Sequence, residues 1–250
     1  MKIVTHTSSS DKEWSKLCIE TQKEFAEINH IPHIVYENID TLGRSTDWAR
    51  FRILHGEMDS SPQNEVTIWM DSDLMIMNPG YDLMALAREF GLGEQFAWVF
   101  VTEGKLDLGL VFAKSNQKSK EAFSYGWSVG ASESRGKRKD ALSFDLMHML
   151  MPDDIYALKG EDVISGWYPR SPVDFYNHKI DSMEGQLGLF TMKKPKEMIE
   201  GFQNLYTPGK FSVHLREKGP ALQSKAEEFY GYRKAFLKSV DESNKLKKDL

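Results

Sequence analysis

A chain of 250 residues with 40% hydrophobic and 28% charged side chains can bury a sizeable core without staples and is too apolar to stay disordered. Its single cysteine, Cys18, excludes an internal disulfide and any cysteine-clustered zinc site, which fits a reducing compartment. The net charge of −5 argues against one broad nucleic-acid-binding surface, and the absence of a signal-like apolar run or a membrane-length stretch leads to the expectation of a soluble, cytoplasmic protein.

Lys2 to Thr7 reads as a buried strand running into the polar loop Ser8-Ser9-Ser10. A helix is expected next, with Ser10 and Glu13 at capping-box spacing and Trp14, Leu17, Cys18, Phe25 and Ile28 on one face. His33 to Tyr36 is strand-like, so the opening has the pattern of a βαβ unit with parallel strands. Ser45 or Thr46 can cap a second helix carrying Trp48, Phe51, Ile53 and Leu54, expected to stop near Gly56. After a polar loop from Asp59 to Glu65, the apolar strand Val66 to Met70 ends in Asp71-Ser72-Asp73, and Leu74 to Met77 continues to the turn Asn78-Pro79-Gly80.

Phe96 to Thr102 and Gly109 to Ala113 are two further strands able to pair as a hairpin. Ser128 to Asp140, with Arg135, Lys137, Arg138 and Lys139, lacks an apolar period and reads as a mobile loop. A helix from about Ala141 to Met151, strands at Ile155 to Leu158 and Phe211 to Leu215, and a helical pattern from Ala221 onward complete the chain. The expected fold is α/β, a mixed, mostly parallel sheet flanked by helices, with one catalytic domain over residues 1–220 and a helical extension over 221–250. That extension carries Phe229, Tyr232, Phe236 and Val240 on one face, and seven basic against five acidic residues. So slight a basic excess favours docking on the domain or a partner subunit over peripheral contact with an anionic membrane or with nucleic acid.

Asp71 and Asp73 hold the most chemical information. Two carboxylates two residues apart at the end of a central strand sit where open α/β sheets place their ligand crevice, and both can converge on one hard divalent cation. Such a cation neutralises a diphosphate and stabilises the charge on a departing nucleoside diphosphate.

Trp48-Ala49-Arg50-Phe51-Arg52-Ile53 followed by Val66 to Asp73 resembles the GT-A-fold, DxD-containing glycosyltransferases that use nucleotide sugars, in particular the glycogenin-like and bacterial galactosyltransferase-like group. The resemblance implies a Rossmann-like GT-A fold and places Arg50 against the donor's sugar or diphosphate. Asp71 and Asp73 become ribose and metal contacts. Leu106-Asp107-Leu108-Gly109-Leu110-Val111-Phe112 is similar to the strand whose polar side chain touches the donor sugar, with Asp107 standing where Asn is usual. Val213 to Pro220 is similar to the segment that supplies a third metal ligand, here His214, and a diphosphate-binding lysine, here Lys218. Of the usual Asp-Gln-Asp near the acceptor only Asp145, in Ser143-Phe144-Asp145, carries over. Thr5 and Thr7, at the end of the first strand, lie where such a fold receives the nucleobase.

The implied activity is transfer of a sugar from a nucleoside diphosphate sugar to an acceptor hydroxyl, retaining the anomeric configuration, with Mn²⁺ or Mg²⁺ and with UDP-sugars favoured over GDP-sugars. The acceptor is open among glycan, lipid, protein and a modified nucleic-acid base. A nucleotidyltransferase is the nearest rival, but it needs a glycine-rich basic loop after the first strand, and Thr7-Ser8-Ser9-Ser10 has neither feature. A non-catalytic module that binds nucleotide sugar or glycan is the rival from another class.

Overall fold

The computed structural model describes residues 1–44, 46–83, 85, 88, 96–102, 105–132, 155–159, 164–167, 211–215 and 219–248. It opens with strand β1 (Lys2–Thr7), helix α1 (Lys16–Ile28) and strand β2 (His33–Glu37), then a 3₁₀ turn (Thr46–Trp48), helix α2 (Ala49–Ser60), and strands β3 (Val66–Met70) and β4 (Leu74–Ile76). Strands β5 (Ala97–Thr102) and β6 (Lys105–Lys114), helix α3 (Gln117–Ser132), strands β7 (Ile155–Lys159), β8 (Ile164–Trp167) and β9 (Ser212–His214), and helix α4 (Gly219–Lys248) follow.

Six strands form the main sheet in the order β2-β1-β3-β6-β5-β7. The β1–β2, β1–β3 and β5–β7 pairs are parallel, and only β6 runs against its neighbours. The expected mixed, mostly parallel sheet is therefore present, built on the expected βαβ opening. A second sheet of three strands, in the order β4-β9-β8, is hydrogen-bonded separately from the first.

The sheet is apolar on both faces because helices cover both, as parallel pairing requires. On one face Val4, Trp69, Val99 and Val111 pack with Phe51, Leu54 and Met58 of α2 and Phe123 of α3. On the other, Ile3, Ile68, Met70, Leu110 and Phe112 pack with Phe25 and Ala26 of α1. A third cluster joins Cys18, Met75, Met77 and Val213 to Leu222, Ala226 and Phe229 of α4. Each side chain of this size, fully buried, contributes about 1.5–3 kcal/mol, before the entropy of ordering it is subtracted.

Local chemistry shifts several expected boundaries. Ser10 does not cap α1: Ser8 takes the amides of Asp11 and Lys12 on its carbonyl, a run of turns follows, and the helix begins only at Lys16. Helix α2 passes Gly56 and ends at Ser60. An interior glycine costs a helix about 1 kcal/mol against alanine, and the buried Met58 and Glu57, the latter paired with Lys2 and Tyr36, carry it another turn. Ser128 to Ser132 belong to α3 and not to a loop, since Ala122 and Phe123 bury the helix against the core and Trp127 meets Trp48 edge-on at 6.2 Å. The rest of the expected basic loop and the helix from Ala141 to Met151 lie outside the described residues. Leu74 to Ile76 leave the main sheet for the second one, where they pair antiparallel with β9. Strand β8 was not anticipated; Gly166 and the neighbouring Pro169 mask its apolar pattern.

Helix α4 begins at Gly219 and docks on the second sheet through Leu222, Ala226 and Phe229. Its Arg233, 3% exposed, donates from Nε to the carbonyl of Ile76 at 2.8 Å and pairs with Glu24 of α1 at 2.7 Å.

Candidate functional site

Two sheets meet at the carboxyl end of β3. Asp71 follows the last residue of that strand, and Asp73 immediately precedes β4. Antiparallel pairing of β4 with β9 sets Leu74 opposite His214, and the amide of Leu215 donates to the carbonyl of Asp73 at 3.0 Å. That pairing joins groups 141 positions apart in the chain. His214 Nε2 lies 3.1 Å from Asp73 Oδ1 and 3.5 Å from Asp71 Oδ2.

Asp71 is held from several directions. Its Oδ1 accepts from the Arg50 guanidinium at 2.7 Å and from the Trp69 indole at 2.6 Å, while Arg50 lies over the Trp69 ring at 5.2 Å. Arg50 itself is buried on the first turn of α2. The Asp71 amide donates to the carbonyl of Gly109 at 2.9 Å. That contact carries the β3–β6 register one step past Met70 opposite Leu110, and on the other side of β6 the register with β5 shifts between Val99, which faces Val111, and Phe100, which faces Asp107. Burial pushes the Asp71 carboxyl above its ordinary value, against the opposing pull of Arg50 and His214.

One determinant has no motif in the sequence. The Gln22 side-chain amide, from the middle of α1, donates to the carbonyls of Asp71 at 2.8 Å and Leu74 at 2.7 Å, clamping both ends of the acidic turn. Its own carbonyl accepts from the Thr5 hydroxyl at 2.7 Å. A fully buried glutamine on the core face of a helix was the only available signal.

Two carboxylates and an imidazole, each offering one ligand atom and all within 4.8 Å of one another, form a set suited to a hard or borderline divalent cation such as Mn²⁺ or Mg²⁺. The residues fit the group. Both acids retain 20% side-chain exposure, and His214 is nearly closed off from solvent.

The remaining expected residues divide into two groups. Thr5 and Thr7 lie at the carboxyl end of β1, with Thr5 bonded to Gln22 and 3.0 Å from His33 Nε2, and with Thr7 bonded to Ser15 at 3.2 Å. Asp107 lies in β6, opposite Phe100. Asp145 and Lys218 lie outside the described residues. No helix among the described residues is long and apolar enough to cross a membrane.

The comparisons agree with this architecture. A family model described as the galactosyl transferase GMA12/MNN10 family matches residues 1–88, the span from β1 through the acidic turn. Similar solved structures include a glycosyltransferase involved in the glycosylation of the major capsid of PBCV-1, 12% identical over 91% of this chain and 100% of that one, with a TM-score of 0.60. The glycosyltransferase GlyE of Streptococcus pneumoniae TIGR4 is 13% identical over 97% of this chain with a TM-score of 0.54, and this chain covers 63% of it. The galactosyltransferase LgtC, solved in complex with donor and acceptor sugar analogs, is 12% identical over 94% of this chain and 96% of that one, with a TM-score of 0.50. No curated protein matches the chain in sequence. The fold is that of the GT-A glycosyltransferases.

Proposed function

We propose that this chain is a metal-dependent glycosyltransferase that moves a sugar from a nucleoside diphosphate sugar to an acceptor hydroxyl. The observation that carries the reading is the convergence of Asp71, Asp73 and His214 at the carboxyl end of a central GT-A strand. Fold alone would not support it, since one fold hosts many activities; the donor set at that position does.

Asp71, Asp73 and His214 hold Mn²⁺ or Mg²⁺ in this reading. The cation supplies Lewis-acid charge that offsets the negative charge growing on the departing diphosphate. Arg50, already fixed by Asp71 and Trp69, orients the first carboxylate and adds positive charge on the donor side. Lys218 takes a second phosphate, and Asp107 and Asp145 contact the donor sugar. Transfer retains the anomeric configuration, and UDP-sugars are preferred over GDP-sugars. A preformed, partly dry site of this kind lowers the barrier because its charges need no reorganisation when the bond breaks.

The test is release of nucleoside diphosphate from a panel of UDP- and GDP-sugars, with Mn²⁺ and after chelation. Metal-dependent release that disappears in Asp73→Ala is the expected result. Metal-dependent binding without release from any donor identifies a binding module instead, and release of pyrophosphate from a nucleoside triphosphate with sugar phosphate identifies a nucleotidyltransferase.

A further inference from the structure

Strand β2 ends the six-stranded sheet and, among the described residues, pairs with β1 alone. Its register runs without a bulge from Ile3 opposite His33 to Thr7 opposite Glu37. In a parallel ladder each residue bonds the two that flank its partner, and Ile3 accordingly donates to the carbonyl of Pro32 at 2.8 Å. Ile34 and Tyr36 therefore turn their backbone groups toward β1, while the amides and carbonyls of His33, Val35 and Glu37 point outward. A row of this kind is a template for another strand, and a bulge, a lysine or a proline within the run is the usual safeguard. His33-Ile34-Val35-Tyr36-Glu37 has none of these.

The side chains of the edge match those of a second, antiparallel copy. With a two-fold axis at Val35, each outward amide and carbonyl of one copy meets one of the other, Val35 lies beside Val35, Ile34 beside Tyr36 and His33 beside Glu37. A slip of two residues either way leaves His33 or Glu37 without a partner in the strand. Ile34 and Tyr36 share the face toward α2, where Tyr36 bonds Glu57, and Ile34 is 36% exposed, so the paired arrangement covers an apolar side chain that the single chain leaves in water. His33, Val35 and Glu37 share the face toward α1, where His33 meets Thr5. Lys23 of α1 stands close enough to His33 for its charge to disfavour the protonated ring. The His33 end of the edge thus carries a lysine and the other end the exposed carboxylate of Glu37, which its own chain pairs with Lys12 at 2.7 Å. Antiparallel pairing brings Lys23 of each copy toward Glu37 of the other, twice across the axis.

We propose that the β2 edge is a self-association surface on which a second copy of this chain adds its own β2 antiparallel, joining two six-stranded sheets into one. The surface is separate from the acidic turn and uses none of the residues assigned to metal or donor. Main-chain bonds supply the attachment, and the Ile34–Tyr36 and Lys23–Glu37 contacts set the register. Five residues a side make a contact smaller than a standard interface, so the dimer should be dependent on concentration, with a dissociation constant of about 1–100 μM.

Sedimentation equilibrium of the full chain over about 1–200 μM should show the mass rising from one copy toward two. Ile34→Lys, which places a cation in each apolar cross-strand pair, should weaken association by about ten-fold or more. Lys23→Glu and Glu37→Lys should each weaken it by about three- to ten-fold, and the double variant, which exchanges the two charges, should recover most of the loss. Hydrogen exchange reads the edge directly: the amides of His33, Val35 and Glu37 should be fast in dilute protein and slow in concentrated protein, while those of Ile34 and Tyr36 are slow in both. A mass of one copy at the highest concentration overturns the proposal. So does a dimer that withstands Ile34→Lys, or outer amides whose exchange does not change with concentration.

Discussion

The side-chain amide of Gln22 is bonded to the backbone of Asp71, across 49 positions of sequence, and to that of Leu74 three residues later. The acidic turn is therefore held from beneath by helix α1, and its carboxylates are aimed before any ligand arrives. Positioning of this kind is what a metal site needs from the residues behind its ligands.

Gln22→Leu keeps the shape and removes the donors. It should cost about 1–3 kcal/mol, because two buried carbonyls lose a partner, and it should weaken Mn²⁺ binding more than overall packing would suggest. Denaturant midpoints together with Mn²⁺ titration of the folded variant measure the two effects. A loss of stability with unchanged Mn²⁺ affinity would show that Gln22 supports the fold and not the site.

Mn²⁺ at a hundred times its dissociation constant should stabilise the wild type by about 2.7 kcal/mol, raising the unfolding midpoint of a chain of this size by about 5–10 °C. Asp73→Asn should abolish that rise. Without metal the same variant should be no less stable than the wild type, since it removes one of two carboxylates crowded at the end of β3. Thermal melts with and without Mn²⁺ decide both points.

Acid should destabilise the fold through His33. Burial lowers its value from 6.5 to about 4, so between those limits the unfolded chain binds a proton that the folded chain refuses. The stability tied to the neutral ring is complete above pH 6.5 and declines as pH falls toward about 4. His33→Gln should flatten that part of the curve of unfolding free energy against pH, which urea titrations at stepped pH will measure.

Arg233 fastens α4 to the second sheet, the same sheet that carries His214. Arg233→Met preserves most of the packing but leaves the carbonyl of Ile76 unpaired and removes the bond to Glu24. A loss of about 1–3 kcal/mol is expected. Arg233→Lys should recover little, because one ammonium cannot reproduce the two directed bonds of the guanidinium. Chemical denaturation of the three proteins tests this.

Much of the fold was legible from residue order alone because its signals are local. The strand Lys2 to Thr7, the apolar run Val66 to Met70, the helical period through Phe25 and the break at Asn78-Pro79-Gly80 are each written within a few residues of themselves. The acidic pair belongs to the same class, since a strand delivers it and a spacing of two defines it. Helix α3 was missed over Ser128 to Ser132 because glycine and serine dilute its period, and its contacts with Phe51 and Phe96 lie far away in the chain.

The sequence by itself determined the chemistry on offer: two carboxylates, an imidazole and no second cysteine, hence a candidate ligand set of oxygen and nitrogen. Tertiary structure alone decided their geometry. His214 reaches Asp73 only because β4 leaves the main sheet to pair with β9, and backbone pairing over such a separation has no local signature. Gln22 clamps the turn only because α1 crosses beneath it. Residue type sets what a side chain can bond to, but strand register and helix placement set what lies within bonding distance.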